Sequence, residues 1–130
     1  MKTSRRTFLT ALAATAAIPS FGLESKSKSM VAHHVFFWLK NPDSKADKDQ
    51  LIAGIKTLKK IETVHNMYVG TVAATEKRDV IDMSWSVSEL IYFADLDAQA
   101  IYQTHPLHLE FIKNCSHLWS KVVVYDVQEA

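Results

Sequence analysis

Residues 101–111, IYQTHPLHLEF, set a phenol at Tyr102 six positions ahead of an imidazole at His108, with His105 and Pro106 between them. Pro106 has no amide hydrogen, and its ring disfavours helical backbone at His105. A helix is therefore expected to begin at the proline, with His105 outside or capping it and His108 in the first turn. Along that helix His108 heads a stripe continued by Phe111, Ile112, Cys115, Leu118 and Trp119, an apolar face at helical spacing. Desolvation and the positive end of the helix both disfavour the imidazolium there, and a neutral imidazole is what a general base requires. Tyr102, on a short preceding helix, would bring its phenol to the same pocket mouth to donate to a carbonyl or enolate oxygen. A plain structural reading fits equally well: a core histidine satisfied by a backbone carbonyl, beside a half-buried tyrosine.

Two further polar groups fall on the same layer if strand parity holds. In Val31 to Leu39, VAHHVFFWL, His33, Val35, Phe37 and Leu39 face one way, while Ala32, His34, Phe36 and Trp38 face the other. In the stretch Val80 to Phe93, Glu89 shares its parity with Ile81, Met83, Trp85, Val87, Ile91 and Phe93, and the serines 84, 86 and 88 take the opposite one. Alternation of this kind marks strands, and a carboxylate carried into an apolar layer needs a donor nearby. A bulge would instead return Glu89 to solvent, and His33 would touch solvent if it closes the end of a barrel.

The elements that must position these groups follow from punctuation and period. Lys40 to Ser44 is a turn; Leu51, Ile52, Ile55 and Leu58 then recur at helical spacing, with Asp47 and Asp49 near the start and Lys59 and Lys60 near the end. Gly54 inside that helix costs about 1 kcal/mol relative to alanine. An extended stretch is expected from Thr63 to Val72, a charged turn from Glu76 to Asp79, and the longest strand from Val80 to Phe93. Asp95 can cap a short helix from Leu96 to about Gln103, and Val122 to Val127 reads as the closing strand. Strand, helix, strand, strand, helices, strand implies an α+β fold: a ferredoxin-like four-stranded antiparallel sheet with helices on one face. The other face, carrying Phe36 and Trp38, is left apolar and uncovered, which predicts a homodimer in which two sheets meet as a dimeric α/β barrel.

Composition narrows the partners. Met1 to Leu23 reads as an export leader, because Ser4-Arg5-Arg6-Thr7-Phe8-Leu9 is a twin-arginine signature followed by an Ala-rich run too short to span a bilayer. Ala14-Thr15-Ala16 suits a signal peptidase, and 24–29 is a polar linker, so residues 1–29 are taken as signal and linker and 30–130 as one domain. Periplasmic or exported localisation follows, with no stable membrane span in the mature chain. Removing residues 1–29 takes five Lys/Arg and one Asp/Glu from totals of 15 and 14, leaving 10 against 13 and a net charge of −3. That balance disfavours a nucleic-acid partner. Cys115 is the single cysteine: no intramolecular disulfide can form, and its place on an apolar stripe suits a core thiol. Six histidines show no metal-specific spacing, and no motif calls for a cofactor.

Three blocks, VAHHVFFWLK at 31–40, YQTHPLHLEF at 102–111 and LWSKVVVYD at 118–126, together resemble the stress-responsive dimeric α/β-barrel (Dabb) family, over Met30 to Val127. The resemblance implies a homodimer with a joint barrel and a pocket between sheet and helices. A plant polyketide cyclase of that family uses a Tyr and a His for an aldol cyclisation; they fall on Tyr102 and His108 here, and its first-strand histidine falls on His33. Another pocket histidine of that enzyme lines up with Val87, and Glu89 stands where an apolar residue is expected. The expected catalytic pair is thus His108 and Tyr102, with His33, Val35, Phe37, Val87, Glu89, Phe111 and Trp119 contacting a small apolar or aromatic molecule. The expected chemistry is cyclase-like acid/base catalysis. A non-catalytic stress or binding protein is the alternative, and a haem- or metal-linked enzyme is a third reading.

Overall fold

The computed structural model describes residues 13–17 and 29–130; the expected leader, apart from residues 13–17 and Ser29, lies outside them. β1 (Val31–Leu39) alternates between buried and half-buried side chains along its whole length, the signature of a strand with one face on a core. Ser44 accepts from the Asp47 amide at 3.2 Å and opens α1 (Lys45–Thr57), satisfying one of the orphan donors of a helix start. Leu51 and Ile55 of α1 are fully buried, each contributing about 1.5–3 kcal/mol by leaving water. A single 3₁₀ turn, Leu58–Lys60, ends the helix. β2 (Asn66–Gly70) and β3 (Val87–Phe93) follow, then α2 (Leu96–Thr104), α3 (Pro106–Cys115), a 3₁₀ turn at Ser116–Leu118 and β4 (Trp119–Gln128).

The strands form one antiparallel sheet in the order β2-β3-β1-β4. This is the expected ferredoxin-like arrangement, with β1 and β3 central and β4 an edge. The helices pack on the face that carries Val31, Val35, Phe37, Ile91 and Phe93, which with the α1 residues and Phe111 make one buried cluster. Gly54 permits the close approach of α1 to α3: a Cβ there would sit 2.5 Å from Cys115 Sγ and 3.3 Å from Phe111 Cδ2. The helix-propensity cost of the glycine is the consequence of that contact. Among the described residues, no helix is long and apolar enough to cross a membrane.

Two expected strands are shorter than their sequence patterns. The second pairs only over Asn66–Gly70, and the third begins at Val87 instead of Val80. Residues 80–86 alternate in sequence, but the face assigned to them by that parity is corrected: Trp85 packs edge-on against Phe36 of the open face and Met83 is 39% exposed, because β3 finds its first ladder partners only at Phe37 of β1 and Gly70 of β2. Upstream, local bonds take over: Asp82 Oδ1 accepts from the Ser84 amide and hydroxyl, and the Trp85 indole donates to the Asp82 carbonyl, a competition short polar side chains readily win against a strand. Val80 is consequently 90% exposed. The apolar stripe expected on one long helix is also divided, since α3 stops at Cys115, Leu118 lies in the 3₁₀ turn and Trp119 starts β4.

Candidate active site

The C-terminal end of α2 and the start of α3 are built by three residues. Asp95 accepts from the Ala98 amide at 2.8 Å and starts α2, which carries Tyr102 inward until it is 1% exposed. His105 ends the helix with its amide on the Tyr102 carbonyl at 3.1 Å, in the extended conformation a residue before proline favours. Its own Nδ1 then accepts from the Leu107 amide at 3.1 Å, and its Nε2 lies 3.3 Å from Glu62. His105 is therefore a cap and belongs to the joint between the helices.

His108, one turn on, is buried. Its Nδ1 lies 3.0 Å from the carbonyl of Gln103. A carbonyl oxygen only accepts, so Nδ1 carries the proton, and in the neutral ring Nε2 carries the lone pair. Burial holds this imidazole below the usual histidine range; the Gln103 carbonyl works against that, and the charge of a protonated His33 adds to it. The neutral base inferred from the helix pattern is thus what the surroundings favour, with desolvation as the main cause.

Tyr102 stacks at 4.6 Å between ring centroids from His108 and lies 5.7 Å edge-on from His33. Its hydroxyl donates to Glu89 Oε1 at 2.9 Å. Glu89 is 1% exposed, so parity holds and no bulge returns it to solvent. Burial pushes its carboxyl up to about 7, partly offset by the bond from Tyr102. Burial, and then the charge and hydrogen bond of Glu89, push the phenol well above its usual value. The single Tyr102 proton is committed to Glu89 while that carboxylate is ionised. The phenol oxygen then only accepts, and it becomes a donor to another group once Glu89 itself holds a proton. At the sheet edge, His33 Nδ1 donates to Asp126 Oδ1 at 2.5 Å, an ion-pair geometry when the ring is protonated.

These groups border a cavity of about 370 Å³ between sheet and helices. Of the expected residues, His33, Val35, Phe37, Glu89, Tyr102, His108, Phe111 and Trp119 line it. Val87 does not: it is fully buried in the core at the start of β3, opposite Phe37, so the expectation that it contacts a ligand is corrected. Five lining residues went unrecognised in the sequence: Gln103, Ile112, Val122, Val124 and Asp126. The signal for the last three was present, because they alternate along one strand and pair with Phe37, Val35 and His33; only the register of β4 on β1 brings them to the cavity. Among the described residues no group of three or more His, Cys, Asp or Glu gathers as a set of metal ligands.

A model of the family described as the stress responsive A/B barrel domain, Dabb, matches residues 31–129. No curated protein matches the chain at a significant level. Among solved structures, a Dabb family protein with a ferredoxin-like fold from Mesorhizobium loti superposes with a TM-score of 0.65 at 22% identity, over 79% of this chain and 99% of its own. The hydroxynitrile lyase of Passiflora edulis gives 0.65 at 24% identity, over 80% and 95%. A dimeric ferredoxin-like protein of unknown function from Thermobifida fusca gives 0.65 at 14%, over 78% and 92%. At these identities the likeness is one of fold.

Proposed function

Because the chain belongs to the stress responsive A/B barrel (Dabb) family, we propose that it is a homodimer whose cavity takes a small apolar or aromatic molecule and performs acid/base chemistry on it. The observation that carries this reading is the His108 tautomer: Nδ1–H held by the Gln103 carbonyl leaves Nε2 as the basic nitrogen of a ring that lines the cavity. Such a nitrogen takes a proton from carbon beside a carbonyl. The oxyanion that develops needs a donor, and Tyr102 supplies it when Glu89 is protonated. A hydroxynitrile lyase on the same fold supports the compatibility of this architecture with lyase chemistry.

The dimer reading rests on the open face of the sheet, where Tyr68, Tyr125 and Val127 are 70%, 59% and 57% exposed, and on the dimeric state of the Thermobifida fusca neighbour. An apolar, aromatic sheet face of this kind is suited to a self-complementary interface. The twin-arginine signature at Arg5 and Arg6 supports export to the periplasm, which N-terminal sequencing of envelope-localised protein tests; an intact Met1 in the cytoplasm refutes it.

The enzyme reading is tested with a panel of aromatic and linear β-keto compounds. His108→Ala is expected to lower turnover about 10²–10⁴-fold while sedimentation still reads a dimer. Equal turnover by wild type and variant removes His108 from the chemistry. The second reading, a binding protein without turnover, is favoured by the commitment of the Tyr102 proton to Glu89. Small molecules that co-purify with the dimer, with no member of the panel converted, would favour it.

A further inference from the structure

The polar inventory of the cavity is one-sided. Two carboxyl groups line it, Glu89 at its floor and Asp126 at its mouth, and among the described residues no lysine or arginine does. His33 pairs with Asp126, so that pair carries no net positive charge in either protonation state of the ring. Among the described residues Glu89 receives one hydrogen bond, from Tyr102 to Oε1, and its carboxyl lines the cavity. A carboxylate removed from water is costly unless several donors or a counter-charge meet it, and one phenol is a partial answer. The side walls are apolar and aromatic: Val35, Phe37, Phe111 and Trp119. Aromatic faces beside a carboxylate make a favourable site for a cation on an apolar body.

We propose that Glu89 is the specificity-determining residue of the cavity, and that it selects an aromatic or apolar molecule bearing a protonated amine, which donates N–H to Glu89 while the ring packs against the aromatic wall. This rests on the cavity being a ligand site and not on Tyr102 as oxyanion donor, since an anionic Glu89 keeps the Tyr102 proton, and it names the class of molecule the cavity admits. Carboxylates and phosphates are disfavoured, since they would meet Glu89 and Asp126 with no cationic side chain to offset the repulsion. Burial holds the free carboxyl at about 7, so it reaches its anionic form in the neutral range, and an ammonium group beside it stabilises that form further.

The test is calorimetric titration of the full-length dimer at neutral pH with three probes of one shape: 2-naphthylmethylamine, 2-naphthylmethanol and 2-naphthoate. The amine is expected to bind about tenfold or more tighter than the alcohol, with the naphthoate weakest. In Glu89→Gln, which keeps the acceptor for Tyr102 and removes the charge, amine and alcohol are expected to come within about threefold of each other. Wild-type protein that binds the alcohol or the naphthoate as tightly as the amine overturns the proposal and leaves the ligand site standing, as does a Glu89→Gln protein that retains the preference. If wild type binds none of the three, the ligand-site reading falls with it. The order of affinities in wild type decides the matter even if the variant does not fold.

Discussion

His33 and His34 are adjacent in sequence and lie on opposite faces of one sheet. On the covered face, His33 is buried, donates to Asp126 and packs edge-on against Tyr102. On the open face, His34 is half-buried, pairs with Ser88 Oγ at 2.7 Å and stacks on Phe36 at 4.3 Å. The polar groups of the covered face join the sheet to the helices and border one cavity, β1 to β4, α2 to β3 and α3 to α2, whereas the His34–Ser88 pair of the open face links two neighbouring strands. Those of the open face decorate an aromatic surface in which Phe36 meets Trp85 and Tyr125. Strand alternation thus turns one segment into both a wall of a cavity with perturbed acids and bases and an exposed aromatic surface, the one proposed above for assembly, and the difference between the two is set by what covers them.

The comparison breaks most sharply at the two phenylalanines. Phe93→Ala, on the covered face and fully buried, is expected to cost about 3–5 kcal/mol of unfolding free energy, read by urea denaturation at fixed protein concentration. Phe36→Ala should act instead on association and shift sedimentation from dimer towards monomer. A Phe36→Ala protein that sediments as wild type does would remove the open face from the interface.

Next in size is the pH dependence of the covered face. The Glu89 carboxyl is raised from 4.5 to about 7 in the folded chain. Between those values the unfolded chain has released the proton and the folded chain still holds it, so stability falls as pH rises. At about 1.36 kcal/mol per pH unit this amounts to roughly 3 kcal/mol. Glu89→Gln is expected to gain on wild type by that amount between pH 4 and pH 8, with no further gain above it. Parallel stability profiles for the two proteins would mean that Glu89 ionises freely.

The smallest expected effect belongs to the open face, where Lys121 Nζ lies 4.5 Å from the centroid of the Trp38 ring. Lys121→Met should cost about 0.5 kcal/mol and leave the pH profile unchanged, which thermal unfolding across the same pH range checks.

Much of this arrangement was legible beforehand where the physics is local. β1 shows its two faces because a strand alternates at every residue, and α3 starts at Pro106 because a proline constrains the residue before it. His108 could be placed in a first turn, and its neutral state argued, from those facts alone. The start of β3 was not legible: residues 80–86 carry strand parity, yet their links to β1 are confined to the Ser86 amide on the Phe37 carbonyl and to side-chain bonds of Ser84 and Ser86, and no regular ladder forms before Val87. Val87 aligns with a pocket position only by resemblance, and in the fold it is a core residue opposite Phe37 of β1.

By itself, the sequence determined which groups of β1 and of Val87–Phe93 lie inward and where the helices begin, because periodicity and proline stereochemistry act over a few bonds. Only the tertiary structure decided that the Tyr102 proton goes to Glu89, thirteen residues earlier in the chain, and that Asp126 closes the cavity beside His33, ninety-three residues away. Those pairings depend on the register of β4 and the seat of α2 on the sheet, which are set by the packing of the whole core and leave no local trace in the chain.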